Sequence, residues 1–365
     1  MIVSGYAVGN ADVVPTKPVS VDAVQLMDPT EDEAWDAALA EHPQASVFHG
    51  SAWAKVLRDT YGYRPAYFIL SEAGQFRSLL PMMEVKSWLT GRRGVSLPFT
   101  DICQPLRFAV PSMKRLIEEA FEWGRRRGWK YLELRGGKEI FPEAPALEVY
   151  FCHELGLAGD EDFLFAQLDG PVRTAIRKAE RLGLRTEVSH TLEDMGLFYE
   201  LHCKTRKRHG LPPPPFRFFR NIHRHILSQR KGMVVITWHG QKPVAAGVYF
   251  HSAKEAIYKY GASDNALQEL RGNNLVMWEA IKWYSRAGFD RLHLGRTSVT
   301  NSGLRRFKLG WGASEHKLDY LRYDLRKDCF VSGRDEAFGW YNRIFNRLPL
   351  AISKIIGSIL YRHVG

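Results

Sequence analysis

A chain of 365 residues, 45% hydrophobic and 12% aromatic, is long enough for two domains and apolar enough to bury a core in each, which excludes a disordered or fibrous protein. A net charge of +11 at pH 7 and a pI near 9.4 point to a polyanionic partner: nucleic acid, a nucleotide-sugar diphosphate, coenzyme A or an anionic membrane face. Cys103, Cys152, Cys203 and Cys329 are scattered without CxxC or Cys/His spacing, so no structural metal is expected, and such sparse use of cysteine suits a reducing cytoplasm.

In chain order, residues 1–20 carry Asn10, Asp12, Pro15 and Pro18 and no basic-then-apolar block, and read as a flexible lead-in rather than a signal peptide. No run of about 18 apolar residues follows anywhere, so no membrane span is expected. Residues 21–158 form a first predicted domain. It holds a hairpin (Ala66-Tyr-Phe-Ile-Leu70 with Leu79-Leu80 around Gly74), then a helix, a glycine stop and a strand over residues 120–134. The boundary falls at residues 156–162, after a loop over 139–145. Residues 159–330 form the second domain. It opens with a basic helix over 172–183 bearing Arg173, Arg177, Lys178 and Arg181, and a second helix over 192–208 with Leu197, Leu201 and Thr205 in register. Pro212-Pro-Pro-Pro215 must be extended, either as the stiff rim of a cleft or as a plain connector. His223-Arg-His225 is a short basic cluster rather than a metal site. Strands over 234–238, 244–250 and 256–260 follow, then a helix from Asn273-Asn274 to the stop at Gly288, a strand over 291–294 and a turn at Gly295-Arg296-Thr297. The domain closes with Gly303-Leu-Arg-Arg-Phe-Lys-Leu-Gly-Trp-Gly312, read as a loop.

The two domains echo each other. At one constant offset, Ala120, Trp123, Arg126, Gly128, Leu132 and Leu134 match Ala280, Trp283, Arg286, Gly288, Leu292 and Leu294. Each matching segment says helix, glycine stop, strand, and each has a hairpin upstream, so duplication of one α/β unit is the physical reading.

Several residues could carry chemistry. Tyr258 and Tyr260 alternate with Ile257 and Lys259, so both tyrosines should face one side of their strand, as cleft or as core residues. Arg271-Gly272-Asn273 puts backbone amides at a helix N-terminus, where an anion binds readily. Arg206 and Arg208 suit phosphate, because the guanidinium fork grips two oxygens at once. Read alone, Lys308 is a solvated lysine on a turn, and Asp101 caps a turn.

Hairpin, helix and strand in this order resemble the acetyltransferase-like (GNAT) fold, and the complete Phe307-Lys308-Leu-Gly310-Trp-Gly312 motif resembles the FemAB-type aminoacyltransferases, which extend peptides on bacterial cell-wall precursors. The resemblance covers roughly residues 45–325. It implies an α/β (α+β) protein of two tandem GNAT-like domains, each a mixed sheet flanked by helices, facing each other across an acceptor cleft. It implies transfer of an aminoacyl or acyl group to an amine of a peptidoglycan or exopolysaccharide precursor. The donor would be aminoacyl-tRNA or acyl-CoA, with no tightly bound cofactor. Lys308, beside Phe307, would steady the tetrahedral oxyanion, a role worth roughly 3 kcal/mol by analogy with one oxyanion-hole donor. Asp101, in Leu97-Pro-Phe-Thr-Asp-Ile-Cys-Gln-Pro105, would take the amine's proton. Lys55, Arg206, Arg208, Tyr258, Tyr260 and Arg296 would hold the acceptor. Arg271, Gly272 and Asn273 would hold donor phosphate, although the longer glycine-spaced pyrophosphate pattern is missing, and so is the helical-hairpin arm of tRNA-reading relatives. The alternatives are a CoA-dependent N-acetyltransferase on another small molecule and a non-catalytic glycan- or RNA-binding module.

Residues 331–365 form a tail. Over 338–362, Tyr341, Ile344, Phe345, Leu348, Ile352, Ile355, Ile356, Ile359 and Leu360 recur as one apolar stripe, with Pro349 dividing it into two helices and Arg343, Arg347, Lys354 and Arg362 flanking it. Such a helix docks on its own protein or lies on the inner face of the plasma membrane.

Overall fold

The computed structural model describes residues 23–40, 42–72, 75–107, 111–333 and 348–365. Its strands are β1 (Gln25–Met27), β2 (Arg64–Pro65), β3 (Tyr67–Glu72), β4 (Gln75–Leu80), β5 (Met83–Ser87), β6 (Gly91–Val95), β7 (Leu106–Arg107), β8 (Tyr131–Arg135), β9 (Glu148–Gly156), β10 (Arg185–Ser189), β11 (Gly232–His239), β12 (Lys242–Ser252), β13 (Glu255–Ser263), β14 (Arg291–Ser298), β15 (Ser314–Asp324) and β16 (Cys329–Phe330). Its helices are α1 (Trp35–Ala40), α2 (Ser51–Tyr61), α3 (Pro111–Arg126), α4 (Glu161–Gln167), α5 (Gly170–Arg181), α6 (Leu192–Arg208), α7 (Phe216–Ile222), α8 (Gly272–Arg286), α9 (Ser302–Leu309) and α10 (Leu350–Val364). A π-helical turn, His223–Leu227, continues α7, and there His225 meets Asp59 at 2.8 Å.

The repeat is real in three dimensions. In the first half α3 crosses over between the parallel neighbours β6 and β8; in the second, α8 crosses over between β13 and β14. Each helix ends at a left-handed glycine, Gly128 at φ 70° and Gly288 at φ 73°, a conformation that costs glycine little and lets the chain turn into the next strand. The hairpins β3–β4 and β11–β12 stand upstream of each. The protein is thus two repeated mixed α/β units with a C-terminal helix.

The units are joined more closely than a linear division suggests. One sheet runs β10-β11-β12-β13-β14-β9-β15-β8-β6-β5-β2, with β16 on β15. β9 belongs to the first half but lies between β14 and β15 of the second, and β15 then pairs onward with β8. A smaller sheet, β1-β3-β4-β7, separates from the main one where Pro81, with no N–H to give a ladder, parts β4 from β5. Three main apolar cores follow. One packs α3 on the first half, one packs α5 and α8 on the second, and the third lies between the halves, where Phe48, Trp53, Phe218 and Phe250 meet.

Three expectations change. Residues 302–309 are helix α9 rather than loop, because Asn301 caps its first turn by accepting from the Leu304 N–H at 3.0 Å. Gly295-Arg296-Thr297 does not turn away: β14 continues through it to Ser298, with Gly295 at φ 72° absorbing an irregularity in the pairing with β9. In the tail, residues 338–347 lie outside the described residues, and α10 begins directly after Pro349. It docks on the protein: Tyr63 donates to the Tyr361 and Arg362 carbonyls, Lys354 meets Glu200 at 3.1 Å, and Gly357 rests on the Pro213 carbonyl. Among the described residues no helix is long and apolar enough to cross a membrane.

Candidate functional site

The site begins where two parallel strands separate. β13 and β14 are paired only from Glu255 with Arg291 to Ile257 with His293, although β13 runs on to Ser263 and β14 to Ser298. The divergence coincides with a bulge. β12 pairs Val248 with Tyr260 but the next residue, Tyr249, with Tyr258, so Lys259 is left over. That extra residue breaks the period-two alternation, and the expectation that Tyr258 and Tyr260 share a face is overturned. Tyr258 packs on Tyr249 in the second-half core, while Tyr260 packs on His202 and Phe219 in the core between the halves.

The bulge aims Lys259 at Asp101 of the first half, 2.7 Å away. Asp101 arrives on a tight loop in which Leu97 and Phe99 take left-handed φ values of 54° and 62°, a strain that surrounding contacts must hold. Thr100 bonds back to the Leu97 carbonyl, Arg135 donates to the Thr100 carbonyl at 3.0 Å, and the Tyr320 hydroxyl donates to the Asp101 carbonyl at 2.6 Å. Asp101 therefore does not cap a turn; its carboxylate lies beside Gly295 in the opening between β13 and β14. Burial favours its neutral form, but Lys259, Arg296 and Lys308 together outweigh that and hold its pKa below the ordinary carboxylate value.

Lys308 closes the opening from the other side. It lies in the last turn of α9 and is only 3% exposed. Its ammonium donates to the Gly295 carbonyl at 2.8 Å and the Arg296 carbonyl at 3.0 Å, on the stretch of β14 that no longer pairs with β13. Burial pushes its pKa down to about 8, with Asp101 opposing the shift. Arg296 is clasped between the rings of Tyr150 and Tyr320, at 4.3 Å and 5.0 Å. Cys152 is a close neighbour, but burial raises its thiol to about 12, so it is no nucleophile near neutral pH. Lys259, Arg296 and Lys308 face Asp101 and, behind Tyr150, Glu148, so cations outnumber anions in this buried centre.

Phe307, next to Lys308 in sequence, faces elsewhere. It packs edge-on against Trp311 and lines a cleft of about 150 Å³ with Val244, Asp264, Arg271, Gly272 and Asn273. Arg271 sits left-handed at φ 63° at the N-terminus of α8, and Gly272 is demanded by space, since a Cβ there would come within 2.8 Å of Val244. Asp264 in this cleft is offset by Lys204 at 2.9 Å. Arg208 belongs to this side through Asn265 at 2.8 Å, whereas Arg206 faces α10, donating to the Tyr361 hydroxyl at 2.7 Å and the Pro212 carbonyl at 3.3 Å. Lys55 lies on α2 near the His225–Asp59 pair.

The structure thus brings Lys308, Asp101 and Arg296 together, and Arg271, Gly272, Asn273 and Phe307 at a second place, with the two tyrosines divided between cores. Sequence reasoning passed over Lys259, Cys152 and Tyr320. The available signal was Lys259 itself, a charge in the middle of a strand whose flanking residues, Ala256 to Tyr258 and Tyr260 to Ala262, carry none.

Residues 170–318 match a family described as acetyltransferase (GNAT) domain. No curated protein sequence matches the chain significantly. Among solved structures, FemX is 13% identical with a TM-score of 0.62, covering 78% of this chain and 94% of its own. L-PGS from Bacillus licheniformis is 14% identical with a TM-score of 0.52, covering 90% and 95%. A tandem GNAT protein from the clavulanic acid biosynthesis pathway is 12% identical with a TM-score of 0.52, covering 83% and 98%. At these identities the structures speak for the fold, and the domain match speaks for the chemistry of the second half. Residues 170–318 are thus an acetyltransferase (GNAT) domain, which makes the chain an acyltransferase, and its tandem fold is similar to that of FemX.

Proposed function

We propose that the protein transfers an aminoacyl or acyl group from an activated ester or thioester to an amine of a cell-envelope precursor, in the cytoplasm. The observation that carries this reading is the buried Lys308 ammonium at the divergence of β13 and β14, with two donors committed to the Gly295 and Arg296 carbonyls and no third partner among the described residues. The amine attacks the acyl carbon and the carbonyl oxygen becomes an oxyanion, which the remaining Lys308 N–H stabilises. Collapse breaks the C–O or C–S bond, and the amine's proton passes to the leaving alkoxide or thiolate. Asp101, with its lowered pKa, is a weak base, and a neutral amine needs no stronger one. Its larger part is to hold Lys259 and balance the cations around the oxyanion. The excess of positive charge favours an anionic acceptor such as a nucleotide- or lipid-linked glycan.

The test is mass spectrometry of UDP-linked muropeptides incubated with the protein and either acyl-CoA or charged tRNA. Wild type should add one acyl group, and Lys308→Ala should fold but lose roughly 10²–10³-fold in rate, the cost of one oxyanion donor. A fully active Lys308→Ala protein would remove that lysine from the mechanism. A second reading, a CoA-dependent N-acetyltransferase on another small molecule, is favoured by the cleft at the start of α8, where Arg271 and the Gly272 and Asn273 amides would hold a diphosphate. Turnover of acetyl-CoA with simple amines and none with muropeptides would select it.

A further inference from the structure

The hairpin tip joining β5 and β6 carries Trp88, 83% exposed, and Leu89, 56% exposed. This tip stands against the end of α10: the Trp88 and His363 rings lie 5.3 Å apart, and Ser87 hydrogen-bonds the His363 imidazole at 2.9 Å. One face of α10 is packed on the protein, where Ser353 and Gly357 are buried and Tyr361 bonds Arg206. Its other face exposes Ile352, Ile355 and Ile359. At about 100° per residue, Ile352, Ile359 and His363 fall on one side of the helix, so the isoleucine stripe runs toward the Trp88 tip. Two chain segments remote in sequence therefore form one apolar edge.

Charge says what covers it. Residues 85–100 and 348–365 contain no aspartate or glutamate; of their cations Arg93 is buried, Arg92 is half-buried and Lys354 pairs with Glu200, which leaves Lys86 and Arg362 as the exposed charges of this surface. Both lie beside the apolar edge. A protruding tryptophan, an aliphatic stripe and a rim of one positive sign are the features of a surface that enters the headgroup layer of an anionic bilayer. We propose that the Trp88-Leu89 hairpin tip and the Ile352–Ile355–Ile359 face of α10 together dock the protein on an anionic membrane. The proposal does not depend on the acceptor assigned above, but it agrees with a lipid-linked one: Tyr361, which bonds Arg206, lies across the same helix, about 10 Å away.

The test uses the full chain and vesicles of phosphatidylcholine, alone or mixed with phosphatidylglycerol, read by co-sedimentation, with thermal unfolding as the folding control. Wild type should bind the mixed vesicles and scarcely the neutral ones. Trp88→Ser/Leu89→Ser and Ile355→Ser/Ile359→Ser should each abolish binding while unfolding normally, and Lys86→Ala/Arg362→Ala should weaken it roughly thirtyfold, the effect of two basic residues at such a surface. Absence of wild-type binding, or variants that bind like wild type, would overturn the proposal. So would a wild-type dimer in solution that the serine variants convert to monomer, which would assign the edge to a second copy of the chain.

Discussion

Lys308 is buried, yet its neighbours leave it a cation near neutral pH. Because its pKa is lowered to about 8 from an ordinary 10.5, its burial costs the fold stability below pH 8, and that cost fades as pH rises toward 10.5. If the ammonium stabilises the oxyanion, kcat should fall as pH rises through about 8. Lys308→Arg, whose charge does not titrate there, should move that fall upward even if its maximum rate is lower. A wild-type profile without a fall near pH 8 would show that the charge of Lys308 is not used. His293 shifts the other way. Burial disfavours its charge, but Glu154 and Glu255, each 3.3 Å away, outweigh burial and raise its pKa to about 9. Its contribution to stability is therefore complete below pH 6.5 and lost as pH rises through 9. Urea unfolding should show wild type losing stability across that window by more than His293→Gln does. At this scale the sequence was only partly legible. The Phe307-Lys308 motif led to Lys308, but nothing local announces that a bulge ejects Lys259 from the ladder, and the same bulge defeats the alternation used to pair Tyr258 with Tyr260.

Elements were more legible where their ends carry local signals. α6 spans the same residues, 192–208, as the predicted helix, since Thr191 caps it by accepting from the Asp194 N–H. α9 was misread because glycines on both sides suggested a loop, whereas Gly303 lies in the first turn and Gly310 follows the last. α10 depends on its seating. A Cβ on Gly357 would come within 1.9 Å of the Pro213 carbonyl oxygen, backbone that the proline run holds rigid. Gly357→Ala should therefore unseat the helix at a cost of about 1–3 kcal/mol, despite alanine's better helix propensity. The measurement is hydrogen exchange over residues 350–364 together with thermal unfolding. Gly196→Ala is the control: α6 has open space at that position, so alanine should raise stability by roughly 0.5–1 kcal/mol. Faster exchange in α10 for Gly357→Ala alone confirms the seating, and no change in exchange refutes it.

For the whole molecule, the repeat gave the order of the elements but not how the halves interlock, because the pairing of β9 with β14 and β15 joins residues far apart in sequence and leaves no local periodicity behind. The candidate site lies across that junction. Asp101 comes from the first half and Lys259 from the second, their side chains 15% and 5% exposed, so their ion pair is a clamp between halves as well as part of the site. Removing one partner of such a pair leaves the other charge buried and uncompensated, which costs about 3–5 kcal/mol, whereas replacing both with neutral groups costs far less. Asp101→Asn should lower stability by that amount, because Lys259 would lose its carboxylate partner and face Arg296 and Lys308, with Glu148 reaching them only from behind Tyr150. Asp101→Asn/Lys259→Met should recover most of the loss, and the double-mutant cycle gives the coupling between the two positions. With one sheet running through both halves, wild type should unfold in a single transition, and Asp101→Asn should shift that transition without splitting it. Additive effects of the two substitutions would mean that the pair does not clamp the halves, and separate transitions would mean that the shared sheet does not make them one cooperative unit.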